Sequence, residues 1–300
     1  MIFYVFLLDY RFIMARIAYV NGRFLQHSYA TVHIDDRGYQ FADGVYEVIV
    51  MYNGMMIDEL IHLDRLDRSL KELQIRKPVS RAALRSIIRE IVRLNKIKYG
   101  LIYLQVTRGI AKREHQFPNK SQPSIILTAK SITMPSRKTI EDGIKVITIK
   151  DIRWKRRDIK SLSLLANIIG KQKAIEKGAF EAWQVDDNGK ITEGTSSNAW
   201  IVTQNGVLIT RTADHDILNG VTRVSILKLA DRLGVQYKEQ SFSVQEAKAA
   251  REAFISSATT FVTPVTQIDD VLIGNGKAGA LSLSLRNGYI EYANNEGATC

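Results

Sequence analysis

The chain has 300 residues, 45% hydrophobic and 24% charged, which is ordinary usage for a globular protein and long enough for two domains around separate cores. Its 42 lysines and arginines against 31 aspartates and glutamates give a net charge of +11; no nucleic-acid-binding motif goes with the excess, so no nucleic-acid partner is expected, and a basic site suits phosphate or dicarboxylate ligands as well. A single cysteine, Cys300, excludes an intrachain disulfide and a Cys-based zinc site and fits a reducing, cytoplasmic setting.

The apolar run that starts at Met1 ends at Asp9, well short of the roughly 20 residues a membrane helix needs. It also lacks the basic start and small-residue cleavage site of a secretory signal, so neither a membrane nor a signal role is expected. Asn21-Gly22 and Asn53-Gly54 sit between β-rich runs, 17–20 with 24–25 and 45–52 with 55–57, which predicts two hairpins. Leu63, Leu66, Leu70 and Leu73 recur at helical spacing, and Ser80 can cap a second helix carrying Leu84, Ile87, Ile88, Ile91 and Leu94. Strands are predicted at 101–107 and 125–129, so helices and strands mix without a regular βαβ alternation, an α+β arrangement. The stretch 131–137, with Pro135, reads as a linker.

Beyond it, 144–149 is a β-branched strand leading toward Lys160. A helix of about four turns is expected next, with Leu162, Leu165, Ile168, Ile169, Gln172 and Ile175 on its inner side and Gly178 as its C-cap. Strands around 179–185 and 199–203, a hairpin at Asn205-Gly206 and a helix over 221–233 ended by Gly234 complete the pattern. No internal repeat or low-complexity tract is evident.

Chemistry concentrates in 151–198. Lys160 closes a β-patterned run and follows Arg153, Lys155, Arg156 and Arg157, and Glu193 opens a Gly-Ser turn further on. Burial and neighbouring cations disfavour the ammonium form of a lysine and make its amine a nucleophile. Taken alone, Lys160 also reads as a solvated surface lysine and Glu193 as a carboxylate capping local amides.

The company these residues keep is more specific. In order along the chain stand Asp36-Arg37-Gly38-Tyr39-Gln40-Phe41-Ala42-Asp43-Gly44-Val45-Tyr46-Glu47, His62-Leu63-Asp64-Arg65-Leu66, Gln105-Val106-Thr107-Arg108-Gly109, Arg113-Glu114-His115-Gln116-Phe117, Asp158-Ile159-Lys160-Ser161, Glu193-Gly194-Thr195-Ser196-Ser197-Asn198 and Leu218-Asn219-Gly220-Val221-Thr222-Arg223. This ordered set resembles the fold-type IV pyridoxal-phosphate (PLP) aminotransferases, and within them most closely the D-amino-acid transaminases, over about residues 15–290. The resemblance implies a two-domain α+β protein, a small domain at 15–134 and a larger PLP-binding domain at 135–300, with the cofactor between them and a homodimeric assembly whose sites lie near the interface. Because it begins just after Met14, residues 1–14 are expected to be an upstream extension.

By the same resemblance Lys160 forms the imine with PLP and then shuttles the substrate proton, and Glu193 partners the pyridine nitrogen. Arg65, Val221 and Thr222 hold the phosphate, the last two at the start of a helix whose free amides and dipole favour an anion. Family members often carry a hydroxyl residue where Ala258 falls, so only its backbone amide is carried over, with Ser257 or Thr259 as compensation. Leu218 packs on the ring. Arg113 and His115, with the phenol of Tyr46, form the trap for the substrate α-carboxylate in the D-specific enzymes. No metal-ligand spacing is present.

The expected reaction is therefore transfer of an amino group from a D-amino acid to a 2-oxo acid, D-alanine and 2-oxoglutarate giving pyruvate and D-glutamate. The alternatives are a branched-chain L-amino-acid transaminase or aminodeoxychorismate lyase of the same fold. Outside catalysis stands a basic binding protein that keeps the fold without the chemistry.

Overall fold

The computed structural model of the chain describes residues 16–295 and 298–299; the expected extension at 1–14 and Cys300 lie outside the described residues. The hairpins form as predicted. β1 (Ile17–Val20) pairs with β2 (Arg23–Gln26), and β3 (Gly44–Tyr52) with β4 (Met55–Ile57). At each turn both the Asn and the Gly have positive φ, the backbone a two-residue hairpin with right-handed strand twist demands. Between the hairpins a short helix, α1 (Arg37–Phe41), is capped by Asp36.

α2 (Glu59–Glu72) and α3 (Arg81–Asn95) follow, the latter capped by Ser80 as the sequence suggests. With β5 (Gly100–Thr107) and β6 (Ser124–Ser131) the first sheet runs β4-β3-β5-β6-β1-β2. Leu63, Leu66 and Leu70 of α2 and Leu84, Ile88 and Ile91 of α3 bury against Ile49, Ile102, Leu104 and Leu127 of the strands. The helical periodicity thus faces the sheet, as an amphipathic stripe should.

α4 (Arg137–Asp142) starts inside the segment read as a linker. Then come β7 (Ile144–Lys150), α5 (Leu165–Glu176), β8 (Glu181–Val185), β9 (Ile191–Gly194), β10 (Asn198–Val202), β11 (Leu208–Thr210) and α6 (Val221–Arg232). β12 (Tyr237–Glu239), α7 (Val244–Lys248), β13 (Glu252–Ser257), β14 (Phe261–Ile268), β15 (Val271–Leu272), α8 (Ala280–Asn295) and β16 (Ala298–Thr299) finish the chain. The second sheet runs β12-β11-β10-β13-β14-β7-β8-β9, with β15 added to β14. Its parallel pairs, β7 with β14 and with β8 and β11 with β12, make it a mixed sheet. The chain end crosses back, since β16 pairs with β4 on the first sheet. Val50 and Ile57 of the first sheet also bury with Trp200, Ile226, Phe254, Phe261 and Leu285, an apolar joint between the two units. The fold is α+β with two sheet-centred units, as expected.

Three local expectations need correcting. Lys160 does not end a strand: β7 stops at Lys150, and Lys160 lies beyond it, after a segment of bends and turns. Glu193 lies within β9, one residue before its end, rather than on the turn. The third concerns α5, which begins at Leu165, is three turns long, and turns its large apolar residues outward: Leu165, Ile168 and Ile175 are 71%, 62% and 59% exposed. Gly170 and Ala174 face the sheet instead, and a Cβ on Gly170 would lie 2.6 Å from Ile149 and 2.9 Å from Thr195. Periodicity marked an apolar face correctly, but the small residues won the close approach to the strands. Gly178, in the left-handed region just past the helix, ends it as expected.

Candidate active site

One cleft between the two sheets collects Tyr46, Arg65, Lys160, Glu193, Leu218, Val221, Thr222 and Ala258. It draws on β3 and α2 of the first unit, and on the segment after β7, the β9–β10 turn, the start of α6 and the β13–β14 turn of the second.

Lys160 reaches the cleft because its segment is stitched to the free edge of β3. Tyr46 N donates to the Lys160 carbonyl at 3.0 Å, and Leu162 N to that of Gly44, also at 3.0 Å. Just upstream, Asp158 is buried and clasped by Arg68, by Arg156 Nε at 3.0 Å and by His215 Nδ1 at 3.1 Å. Burial alone would raise the Asp158 carboxyl; Arg156, His215 and Arg68 bring it down to about 2. Ile159 packs into the first core, so the two residues before Lys160 fix its backbone from both sides. Its Nζ ends 3.4 Å from the Tyr46 hydroxyl, above the Tyr46 ring.

The arginines of the basic cluster that the sequence places beside Lys160 are paired with carboxylates inside the chain. Arg153 pairs with Asp151 at 2.8 Å and with Glu193, Arg156 with Glu72 and Asp158, and Arg157 with Asp216 at 2.7 Å and Asp151 at 3.3 Å. These cations therefore lock the segment in place rather than pressing an unbalanced positive field on Lys160.

Glu193 is buried at the far wall. It accepts from Arg153, from Asn198 Nδ2 at 3.1 Å and from the Leu218 amide, 3.2 Å from either carboxylate oxygen. Burial lifts its pKa above the ordinary carboxylate value, with Arg153 and the Leu218 amide opposing the lift. The neighbouring turn is held from below by Glu181, whose fully buried carboxylate accepts from the amides of Ala182, Thr195 and Ser196 and from the hydroxyls of Thr195, Ser196 and Ser197.

At the other end of the cleft the groups are donors. The first intrahelical bond of α6 runs from Val224 N to Gly220 O, and Gly220 offers no side-chain cap, so the amides of Val221 and Thr222 are free of helix partners. Ser257 spends its hydroxyl on Thr259, Thr260 and the Thr260 amide. Ala258 and Thr259 line the cleft beside it.

Arg65 completes the donor end and is not part of a solvated face. Asp64 and Asp67 take up Arg81 and Lys77 on the outer side of α2, whereas Arg65 points inward and grips Glu47 with Nε at 2.7 Å and Nη2 at 2.8 Å. Glu47 is fully buried and also receives His62 Nδ1 at 2.8 Å. Against the cost of burial, Arg65 and His62 hold the Glu47 carboxyl well below the usual range, while burial lowers the His62 pKa so that the ring is neutral and donates. The remaining Nη1 of Arg65 donates to the Asn219 carbonyl at 3.1 Å, just ahead of α6.

Sequence reasoning assigned no role to Glu47, His62, Asn198 or Glu181. For His62 a partial signal existed, since His62 and Arg65, three apart on one helix, share a face; nothing in the spacing pointed to Glu47 as the group they meet.

Two expected members are elsewhere. Arg113 and His115 do not line this cleft; both are exposed on the loop after β5, packed on Phe41 with the Arg113 guanidinium 5.0 Å and the His115 ring 5.7 Å from its ring centre. Arg37 tethers that loop through the Glu114 carbonyl at 2.6 Å. Of the expected carboxylate trap, only Tyr46 stands in the cleft of the same chain.

Comparison with known proteins places the whole chain in a family. The family model for class IV amino-transferases matches residues 44–268. The chain is 44% identical over 266 residues to a D-alanine aminotransferase of Bacillus licheniformis, covering 89% of this chain and 93% of that protein. It is 40% identical over 276 residues to a D-alanine aminotransferase of Staphylococcus aureus (strain N315), covering 91% and 96%. Among solved structures it superposes on the branched-chain amino acid aminotransferase of Escherichia coli with a TM-score of 0.87 at 24% identity, over 93% of this chain and 95% of that one, a likeness of fold. With a family match across most of its length and relatives of this identity over nine-tenths of it, the chain belongs to the class IV aminotransferases.

Proposed function

We propose that the protein transfers the amino group of a D-amino acid, D-alanine, to 2-oxoglutarate, yielding pyruvate and D-glutamate. The observation that carries the reading is one cleft that holds a primary amine, Lys160, between a buried carboxylate, Glu193, and a cluster of free amides with Arg65. The names of the relatives supply the substrate class.

The family cofactor, pyridoxal 5′-phosphate, fits these residues. Its phosphate suits the unpaired amides of Val221 and Thr222, the Ala258 backbone and Arg65, and its ring nitrogen suits Glu193. When bound it supplies a conjugated ring that accepts the electron pair left on the substrate Cα. Glu193 would hold a proton on the ring nitrogen, and Leu218 would pack on the ring. Lys160 Nζ would anchor the cofactor and would carry the proton to and from the substrate Cα. The Tyr46 hydroxyl, 3.4 Å from that nitrogen, keeps the amine aimed into the cleft.

Arg113 and His115 are proposed to hold the substrate α-carboxylate in the cleft of a second copy. Their exposure and their distance in sequence and fold from the cleft lining support that placement, and so does the apolar outer face of α5, which a homodimer would cover. We place the domain division at 134/135, between the end of β6 and the start of α4, and the cofactor between the two units. A cytoplasmic setting is part of the proposal, and the single cysteine, which cannot form an intrachain disulfide, supports it. Purified protein loaded with PLP and run against a D- and L-amino-acid panel with 2-oxoglutarate tests the reading. D-alanine is expected to turn over fastest; faster turnover of L-leucine would reject D-specificity.

A further inference from the structure

Behind Thr222 lies a buried network that the transamination reading does not use. Asp58 sits at left-handed φ just ahead of α2 and does not cap its own helix. Its carboxylate is turned across the joint between the two units, where it accepts from Tyr292 OH at 2.6 Å, Ser225 Oγ at 3.0 Å and Tyr289 OH at 3.4 Å. Tyr289, in the middle of α8, is 2% exposed and wedged between the rings of Phe261 and Tyr292. The same Tyr289 hydroxyl lies 3.5 Å from Thr222 Oγ1, and Thr222 lines the cleft.

We propose that Tyr289, held by Asp58, is a positioning residue that orients the Thr222 hydroxyl toward an anion bound at the start of α6. This rests on the reading of that helix start as the cofactor-phosphate end of the cleft.

The argument is one of proton direction. A carboxylate only accepts, and a phenol has one proton to give. With no anion at α6, Tyr289 gives its proton to Asp58 and its oxygen receives the Thr222 hydroxyl, so that hydroxyl points away from the cleft. When a phosphate oxygen arrives, the Thr222 proton turns to it, and the freed Thr222 lone pair needs a donor. Tyr289 can swing its proton to Thr222 because Ser225 and Tyr292 continue to serve Asp58. Burial and the charge of Asp58 push the Tyr289 pKa upward, so the phenol keeps the proton this exchange requires. The second layer therefore strengthens a donor at the phosphate without touching it.

Tyr289→Phe keeps the ring and deletes the hydroxyl. The dissociation constants of PLP and of phosphate-free pyridoxal are measured by absorbance on the cofactor-resolved full-length protein, for the parent, Tyr289→Phe, Thr222→Val and the double variant. Tyr289→Phe is expected to weaken PLP binding by about three- to tenfold and to leave pyridoxal binding at the parental value, which also reports an intact site. The double variant should bind PLP within about twofold of Thr222→Val alone, because both changes remove the same hydrogen-bond chain. Unchanged PLP affinity in Tyr289→Phe, equal losses for PLP and pyridoxal, or additive losses in the double variant would each overturn the assignment while leaving the cofactor reading intact. A parent that takes up no PLP would overturn both.

Discussion

The cleft and the loop after β5 treat charge in opposite ways. Around Lys160 nearly every ionic group is paired inside the chain: Arg153 with Asp151 and Glu193, Arg65 with Glu47, and Asp158 with Arg156, Arg68 and His215. On the loop, Arg113 and His115 are exposed and rest on a single ring, that of Phe41. A paired, buried network fixes geometry before a ligand arrives, which catalysis requires of the groups that hold reacting atoms. An exposed pair on a tethered loop is free to meet a second surface. On the proposed function, the paired region is machinery complete within one chain, and the loop is machinery that a second copy would complete.

The largest effect should come from the centre of the paired region. Lys160→Ala would remove the proposed covalent anchor and proton carrier together, so multiple-turnover transamination is expected to fall by roughly 10³-fold or more. Steady-state assay of the PLP-loaded variant decides it, and turnover within tenfold of the parent would remove Lys160 from the chemistry. Glu193→Gln keeps size and hydrogen bonding but deletes charge. PLP should still bind, by absorbance, while turnover drops by about two or more orders of magnitude. Near-parental turnover would make Glu193 a wall residue that merely anchors Arg153 and the Leu218 amide.

How far the sequence reveals these regions depends on what holds each part. The Asn-Gly hairpins, the Ser80 cap and the inward leucines of α2 are local signals, and they formed where the residues put them. The α5 face was misread because periodicity shows that a face is apolar but not what covers it; Gly170 and Ala174 approach the sheet, and the isoleucines are left outward. The cleft residues Lys160, Glu193, Arg65 and Thr222 were legible through the resemblance of their motifs. The Glu47–His62–Arg65 and Asp58–Tyr289–Thr222 networks were not, because they join elements distant in sequence and depend on burial, which no single motif encodes.

A smaller effect tests the exposed half. Losing one charge-assisted contact to the α-carboxylate, Arg113→Ala should lower kcat/KM for every D-substrate by about ten- to a hundredfold and leave PLP retention parental. Placement across a dimer sharpens this. When Lys160→Ala and Arg113→Ala subunits are unfolded together and refolded, half of the random dimers carry one cleft with an intact Lys160 and an intact partner loop. About a quarter of parental activity should return. Recovery no greater than the sum of the two separate variants would place the trap within one chain, or show that these residues do not form one.

The smallest expected effect concerns stability and again contrasts the two regions. His62 is buried neutral against Glu47, and burial lowers its pKa below the ordinary value near 6.5. A histidine that takes a proton when unfolded but resists it when folded stabilises the fold fully above about pH 6.5, and that contribution is lost as the pH falls toward the folded value. The Glu47 carboxyl, also depressed, loses its contribution only at pH values below the ordinary carboxylate range. Between pH 7.5 and 5.5 the difference between parent and variant therefore reports His62. Urea unfolding of the parent should lose about 1 kcal/mol more over that interval than His62→Gln does, for a slope limited to about 1.4 kcal/mol per pH unit. Parallel pH profiles for the parent and His62→Gln would mean that His62 takes up a proton in the folded wall, and the paired region would then be as permeable to charge as the loop.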